Sequence, residues 1–319
     1  MKVVLIGGVE SSAITLKKLC EYNLEIVEVF GYKPSNIDLV SGYHDLEPIC
    51  QQHSISFTPF IKINENVKKI QSLDFDFLLV VGLSQLVSKQ IIEAPKLGAI
   101  GFHPTRLPKG RGRAPVAWLI NEIGEGASTF FMLEEEADAG AIVSQEAFEV
   151  TVEDNAKSVE SKLCKAMRVA LDRLIPQMIE GKLSHNVQDD SLSTEFGVRK
   201  PEDGLVDWSD SAYQIDRLIK AASEPHPGAF TYCENKRLEI KASNIEERLK
   251  IKGVQGRILK IEDGQALVQT GDGLIWILIA HDDNIGLRVG SLLGYKTDLE
   301  IYELKRQILE LKNLIKELT

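Results

Sequence analysis

Residues 2–6 are a β-branched and aliphatic run, Lys-Val-Val-Leu-Ile, and Gly7-Gly8 follow it directly. Ser11 to Cys20 then carries Ile14, Leu16 and Leu19 at helical spacing, so the chain opens as strand, tight turn and helix. Leu24–Phe30 and Phe75–Val81 read as further buried strands, with helices expected near Leu46–Gln52 and Val87–Glu93 and a strand at Ala99–Phe102. Strands that alternate with helices must cross over a sheet, which predicts βαβ units and a parallel-rich, Rossmann-like α/β domain. The Gly7-Gly8 turn lacks the GxGxxG spacing; it reads first as a turn that needs glycine and second as an anion cradle.

The second half changes character. Asp154 is expected to cap a helix over Asn155–Glu180, with Val159, Leu163, Met167, Ala170 and Leu174 on one face. Pro176 is expected to kink or end it early, and Gly181 to close it. The polar stretch His185–Lys200 reads as a boundary. A helix at Ser211–Ala222 and short strands at Ala229–Tyr232, Leu238–Ala242, Gly256–Ile261, Ala266–Thr270 and Leu274–Ala280 predict a small β-barrel or sandwich. Ile301, Leu304, Ile308, Leu311, Ile315 and Leu318 repeat at 3-4 spacing behind Thr297-x-x-Glu300, which reads as a capping box. The expected organisation is an α/β domain over 1–190, a β-rich domain over 200–296 and a heptad helix over 297–319. Isoleucine at every a position and leucine at every d position favour a parallel pair, hence a homodimer; packing of the seam on its own β-rich domain is the alternative.

Charge narrows the function. The chain has 37 basic and 47 acidic residues, a formal net charge of -10, which disfavours generic nucleic-acid binding. Cys20, Cys50, Cys164 and Cys233 are scattered without a CxxC pair or clustered histidines, so no metal site is expected and a reducing, cytoplasmic setting is. No segment reaches ~18 uninterrupted apolar residues, and no membrane span is expected.

Against this acidic background, residues 101–121, GFHPTRLPKGRGRAPVAWLIN, hold Arg106, Lys109, Arg111 and Arg113 with no acidic residue. The stretch is a loop directly after a strand, at the carboxyl edge where open α/β sheets bind ligands, and His103 sits there. The acidic run Glu134–Glu136 reads as a solvated face, but Asp138, two residues after it, stands out because it precedes small residues where the chain turns back into the core. Placed against His103, it would orient the imidazole and stabilise its protonated form.

FHPTRLPKGRGRAP, followed by ADAGAIV, resembles the 10-formyltetrahydrofolate-dependent formyltransferases, and closest to it are the nucleotide-sugar N-formyltransferases. RKPEDGLVDW (199–208) and EPHPGAF (224–230) extend the resemblance. It implies a formyltransferase domain followed by a small β-rich one, 10-formyltetrahydrofolate as formyl donor, and a catalytic Asn-x-His pair with an Asp. His103 and Asp138 match, but Gly101 stands where the family has asparagine. Losing such an oxyanion donor typically costs about 2.7–4 kcal/mol, so a backbone N–H, a water, Ser84 or Gln85 is expected to replace it. The resemblance also implies donor contacts from Val81, Gly82, Leu83, Ser84, Gln85, Leu86 and Val87, and from Glu135, Glu136, Ala137 and Gly140.

Arg111 and Arg113 are candidates for a folate carboxylate or substrate phosphate, or else brace the loop. Where the tRNA enzymes carry a long basic insertion, GYKPSNIDLVSGYHDLEP (31–48) has one lysine against two aspartates and one glutamate. That points to a small amine acceptor, a nucleotide-linked amino sugar, with no nucleic acid or membrane partner. Tyr32, Tyr43 and His44 are candidates for acceptor contacts, or else loop anchors. In the expected mechanism an uncharged amine attacks the formyl carbon, with His103 as general base or as imidazolium and Asp138 positioning it. A methionyl-tRNA formyltransferase, a formate-releasing hydrolase and a non-catalytic binding relative remain the alternatives.

Overall fold

The computed structural model describes residues 1–37, 40–234, 236–280 and 286–318. Two compact units emerge, one comprising 1–199 and 224–226, the other 200–223 and 227–319. In the first unit the chain runs β1 (Lys2–Gly7), α1 (Glu10–Glu21), β2 (Glu25–Tyr32), α2 (Glu47–Gln52), β3 (Phe57–Phe60), α3 (Val67–Ser72), β4 (Phe77–Val81), α4 (Lys89–Ile92) and β5 (Gly98–Thr105). It continues as β6 (Arg111–Gly112), α5 (Pro115–Glu122), β7 (Glu125–Met132), β8 (Ile142–Glu149), α6 (Ala156–Glu180) and β9 (Glu195–Phe196).

Seven strands form one sheet in the order β3-β2-β1-β4-β5-β7-β8. All pairings from β3 through β5 are parallel, whereas β5–β7 and β7–β8 are antiparallel, so the sheet is mixed at one side. Period-2 alternation explains why β1 is apolar throughout. Val3 and Leu5 join α1 and α6 in one core cluster, while Val4 and Ile6 join Ile70 of α3 and Ile91 of α4 in another. Strand order reverses between β1 and β4, which makes that carboxyl edge the topological switch point.

Local chemistry departs from the sequence reading in several places. The Gly7-Gly8 turn follows its first reading, not the anion cradle: the amides of Gly8 and Val9 donate to Ser12 Oγ, which donates to Val81 O at 2.6 Å. Asn155, not Asp154, caps α6, its side chain accepting from the Ser158 amide. Asp154 instead receives the Thr151 amide and pairs with Lys162, which holds its carboxyl down at about 2 although burial opposes ionisation. Helix α6 passes through Pro176, because Leu174, Ile175 and Met178 bury its last turn, and Gly181 ends it in the left-handed region. The first unit runs past residue 190, since β9 pairs in parallel with β6, Arg111 opposite Glu195. The helix expected from Val87 shrinks to the four residues of α4.

In the second unit, α7 (Ala212–Ala222) precedes β10 (Ala229–Cys233), β11 (Lys236–Glu246), β12 (Ile258–Glu262), β13 (Gln265–Gln269) and β14 (Leu274–Ile279). These strands form an antiparallel sheet in the order β10-β11-β14-β13-β12. Leu293 bridges to Cys233 and Leu292 to Arg257, so this short segment spans the two open edges and closes the sheet barrel-fashion. Helix α8 (Thr297–Leu318) ends the chain; the Glu300 amide bonds Lys296 O, which puts Lys296, not Thr297, at the cap position. No helix among the described residues is long and apolar enough to cross a membrane. All four cysteines are free, and burial pushes the Cys50 thiol up to about 12 and that of Cys164 to about 11.

Candidate active site

His103 lies on β5 beyond its last pairing with β4, opposite Thr129 of β7. It is 6% exposed, and its Nε2 stands 2.8 Å from Gly110 O. A carbonyl only accepts, so Nε2 carries a hydrogen, and in the neutral ring the lone pair belongs to Nδ1. Nδ1 faces Asp138 Oδ2 at 3.6 Å. The structure therefore brings His103 and Asp138 together, and a proton arriving on Nδ1 meets a carboxylate.

Asp138 is positioned by its loop between β7 and β8. Its φ of +58° lies in the left-handed region, which aspartate tolerates better than most residues, and Oδ2 accepts the Gly112 amide at 3.0 Å. Gly140 closes the loop against β7, where a Cβ would lie 1.8 Å from Met132 O. The buried Gln188 holds this turn from outside. Its Nε2 donates to Asp138 O and Gly140 O, both at 2.8 Å, while its Oε1 accepts from Arg111 Nη2 at 2.9 Å and Nε at 3.3 Å.

Arg111 departs from the ligand-binding expectation. It is buried and its guanidinium is spent inward, on Gln188, on Asp190 at 2.7 Å and, more distantly, on Glu136 at 3.8 Å. Arg113 is exposed and makes no ion pair among the described residues. Of the other two cations in the loop, Arg106 pairs with Glu125, while Lys109 is exposed and has no ion pair among the described residues. Thr194 Oγ1 receives the Gly110 amide, so the 190–196 segment also braces the carbonyl that orients His103. A cavity of about 550 Å³ opens behind this loop, lined by Leu107, Gly110, Leu119, Ile123, Thr194 and Phe196 among others. Gln188, Asp190, Thr194 and Phe196 escaped the sequence reading because they sit in a polar run that resembles a linker; no motif marks them.

Val81–Val87 leaves the carboxyl end of β4. Gly82 takes a φ of +65° where a Cβ would lie 2.1 Å from Val9 Cγ2, so only glycine makes this turn beside the switch point. Gln85 is strapped down: Oε1 accepts the Ile63 amide and Nε2 donates to Ile61 O at 2.7 Å. One Nε2 hydrogen is committed in this way and the second is not, so Gln85 is held in place and keeps a donor. Asn64 adds bonds to Leu86 O and the Ser88 amide, and Leu83 and Val87 pack against the core. Ser84 remains exposed, and Ser88 Oγ is buried without a hydrogen-bond partner among the described residues. Across from this segment, Glu135 pairs with Lys89 at 2.6 Å, which ties the 135–140 loop to the start of α4; Ala137 lies between Glu136 and Asp138 in that loop. At Gly101 a Cβ would meet Leu133 Cδ2 at 2.7 Å and Phe131 Cζ at 2.8 Å, so these side chains already occupy the space a residue there would need.

Tyr32, Tyr43 and His44 gather at the end of β1 and β2. Tyr32 packs on Phe60 with ring centroids 5.7 Å apart, Tyr43 bridges to Val9, and His44 Nδ1 lies 2.9 Å from Glu10. Each therefore has an anchoring role in that corner.

Residues 1–175 match the formyl transferase family and 199–284 match its C-terminal domain. A methionyl-tRNA formyltransferase of Geotalea uraniireducens is 30% identical over 307 residues, 93% of this chain and 96% of that protein. Its counterpart in Geobacter sulfurreducens is 29% identical over 87% of this chain and 88% of its own length. An N-formyltransferase from Helicobacter canadensis, solved with folinic acid and dTDP-3-aminofucose, shares the fold at TM-score 0.68 and 16% identity, covering 88% of this chain and all of that one. With both of its domains matched in order, the chain belongs to the formyl transferase family.

Proposed function

We propose that this enzyme transfers the formyl group of 10-formyltetrahydrofolate to the primary amine of a small acceptor, a nucleotide-linked amino sugar. The observation that carries the reading is the His103–Asp138 pair, which leaves the Nδ1 lone pair beside a carboxylate at the carboxyl edge of the sheet. The donor brings an activated formyl group. Val81–Val87 and Glu135–Gly140 are the segments that would hold it, and the unpartnered Ser88 Oγ beside the first fits a polar ligand atom. Nδ1 accepts a proton from the acceptor amine, Asp138 stabilises the resulting imidazolium, and the Nε2–H bond to Gly110 O keeps the ring aimed. The same proton is then available to the departing nitrogen. With Gly101 crowded and both ring nitrogens of His103 engaged, the exposed Ser84 hydroxyl, the second Nε2 hydrogen of Gln85, a backbone N–H or a water would serve a carbonyl oxygen as negative charge grows on it. Arg113 is assigned to a phosphate of the acceptor or a carboxylate of the donor.

Support for a small acceptor comes from residues 31–48. The single lysine there, Lys33, is bound by Asp45 at 2.6 Å and Glu47 at 3.0 Å, which leaves no free cation of that segment for a nucleic-acid backbone. Four scattered thiols with no disulfide suit a reducing, cytoplasmic setting, which is part of this proposal. The relatives at 29–30% identity favour methionyl-tRNA as the second reading. Purified enzyme with 10-formyltetrahydrofolate would be given a panel of nucleotide amino sugars, charged initiator tRNA, or no acceptor, and the products identified by mass. A formamide of an amino sugar, lost in His103→Ala and Asp138→Ala, is the expected result. Formylated methionyl-tRNA would overturn the acceptor, formate without acceptor would make the protein a hydrolase, and folate binding without turnover would make it a binding relative.

A further inference from the structure

Helix α8 is 22 residues long, about 33 Å, and its apolar seam is uncovered. Ile301, Leu304, Ile308, Leu311 and Ile315 are each at least 44% exposed, so among the described residues the seam does not pack on its own β-rich domain; the side chain of Leu318 lies outside the described residues. The charges on this helix divide by face. On the outer face, Arg306 pairs with Glu303 at 2.8 Å and with Glu310 at 3.4 Å. Beside the seam, Glu300 at a g position and Lys305 and Lys312 at e positions form no ion pair among the described residues. Glu300 and Lys305 are five residues apart, too far round one helix to meet, yet g and the following e′ are neighbours in a parallel coiled coil. An antiparallel pair would set Lys305 against Lys312 instead.

We propose that α8 pairs with α8 of a second copy of this chain as a parallel two-stranded coiled coil, held in register by reciprocal contacts of Glu300 with Lys305 of the partner subunit. Isoleucine at a and leucine at d select two strands over three. The seam is short, so the copies exchange at micromolar concentration instead of forming a permanent dimer. The pairing of α8 is independent of which amine the enzyme formylates.

Sedimentation velocity on the full-length protein across the micromolar range tests it. The expected result is a concentration-dependent dimer that Leu311→Asp, an exposed position in the single chain, converts to monomer. Lys305→Glu makes both interchain contacts repulsive and raises the dissociation constant about tenfold, and the double variant with Glu300→Lys recovers most of that loss. Orientation is read with Ile301→Cys: mild oxidation links the copies only if the helices are parallel, because antiparallel pairing separates the two thiols by about 20 Å. The unmodified protein controls for its four native thiols. A monomer throughout, a trimer, a dimer that survives Leu311→Asp, or a dimer that fails to cross-link through residue 301 would each overturn the proposal.

Discussion

Replacing Gln188 by leucine keeps the volume of this buried side chain and deletes its amide. Two bonds of 2.8 Å to Asp138 O and Gly140 O are lost, and two from the Arg111 guanidinium go with them. At about 1 kcal/mol net for each bond to the loop, the 133–140 turn loses about 2 kcal/mol of restraint on the carboxylate that faces His103. Arg111 keeps Asp190 and need not leave its place. Because roughly 1.4 kcal/mol is a factor of ten in an equilibrium, the productive placement of Asp138 becomes about 30-fold rarer and kcat falls by up to that amount. Gln188→Glu separates the causes: its carboxylate still accepts from Arg111 but has no hydrogen to give the two loop carbonyls, so kcat should fall while the Arg111 anchor stays. Steady-state rates well below the melting temperature, with circular dichroism to verify folding, measure both. Turnover within twofold of the parent in the folded leucine variant would refute the idea that Gln188 positions Asp138.

Three other perturbations have definite outcomes. Gly101→Asn forces a Cβ to within 2.8 Å of Leu133 and Phe131 and should cost about 1–3 kcal/mol of stability with no gain in turnover; a faster enzyme with an unchanged melting temperature would show that the crowding argument is mistaken. Arg113→Ala should raise KM for one of the two substrates and leave Tm unmoved, whereas Arg111→Ala should lower Tm; the reverse pattern would exchange their roles. Asp154 has a folded-state pKa depressed to about 2, so its contribution, at most about 2 kcal/mol, is complete above roughly pH 4 and disappears as pH falls through 2. Thermal melts of Asp154→Asn and the parent should therefore differ at neutral pH and converge in acid, and a gap independent of pH would contradict the ionised-carboxylate account.

Periodicity and turn chemistry carried the central part of the fold. The run 2–6 was legible because β1 is buried on both faces, and the place of His103 at the carboxyl end of β5 because a loop of glycine, proline and arginine follows it. Edge strand β3 was not, since Phe57–Phe60 contains Pro59 and only four residues. Helix α6 outlasted Pro176 because tertiary burial of Ile175 and Met178 outweighs one lost backbone bond. In the site, His103 and Asp138 were visible as types of residue in position, but their supports were not. Gln188 and Thr194 act through geometry reached only after the chain returns from α6, and polar residues in a polar run announce nothing locally. Arg111 stayed between two readings for the opposite reason: a cation in a ligand loop has the same letter whether it faces a substrate or a buried glutamine.

Arg111 and Gln188 are 77 positions apart in the chain, and that interval has a temporal meaning. At about 5–20 residues per second of synthesis, the loop bearing His103 and Arg111 is made roughly 4–15 s before the residues that lock it. A nascent chain stopped near residue 175, where the match to the family's first domain ends, would hold every strand of the seven-stranded sheet yet leave the guanidinium without its amide and the Gly110 amide without its hydroxyl. Grafts and circular permutants of this enzyme should for that reason be cut beyond Arg199, because a chain that stops short of that point carries the strands of the sheet but not the segment that braces the loop bearing His103.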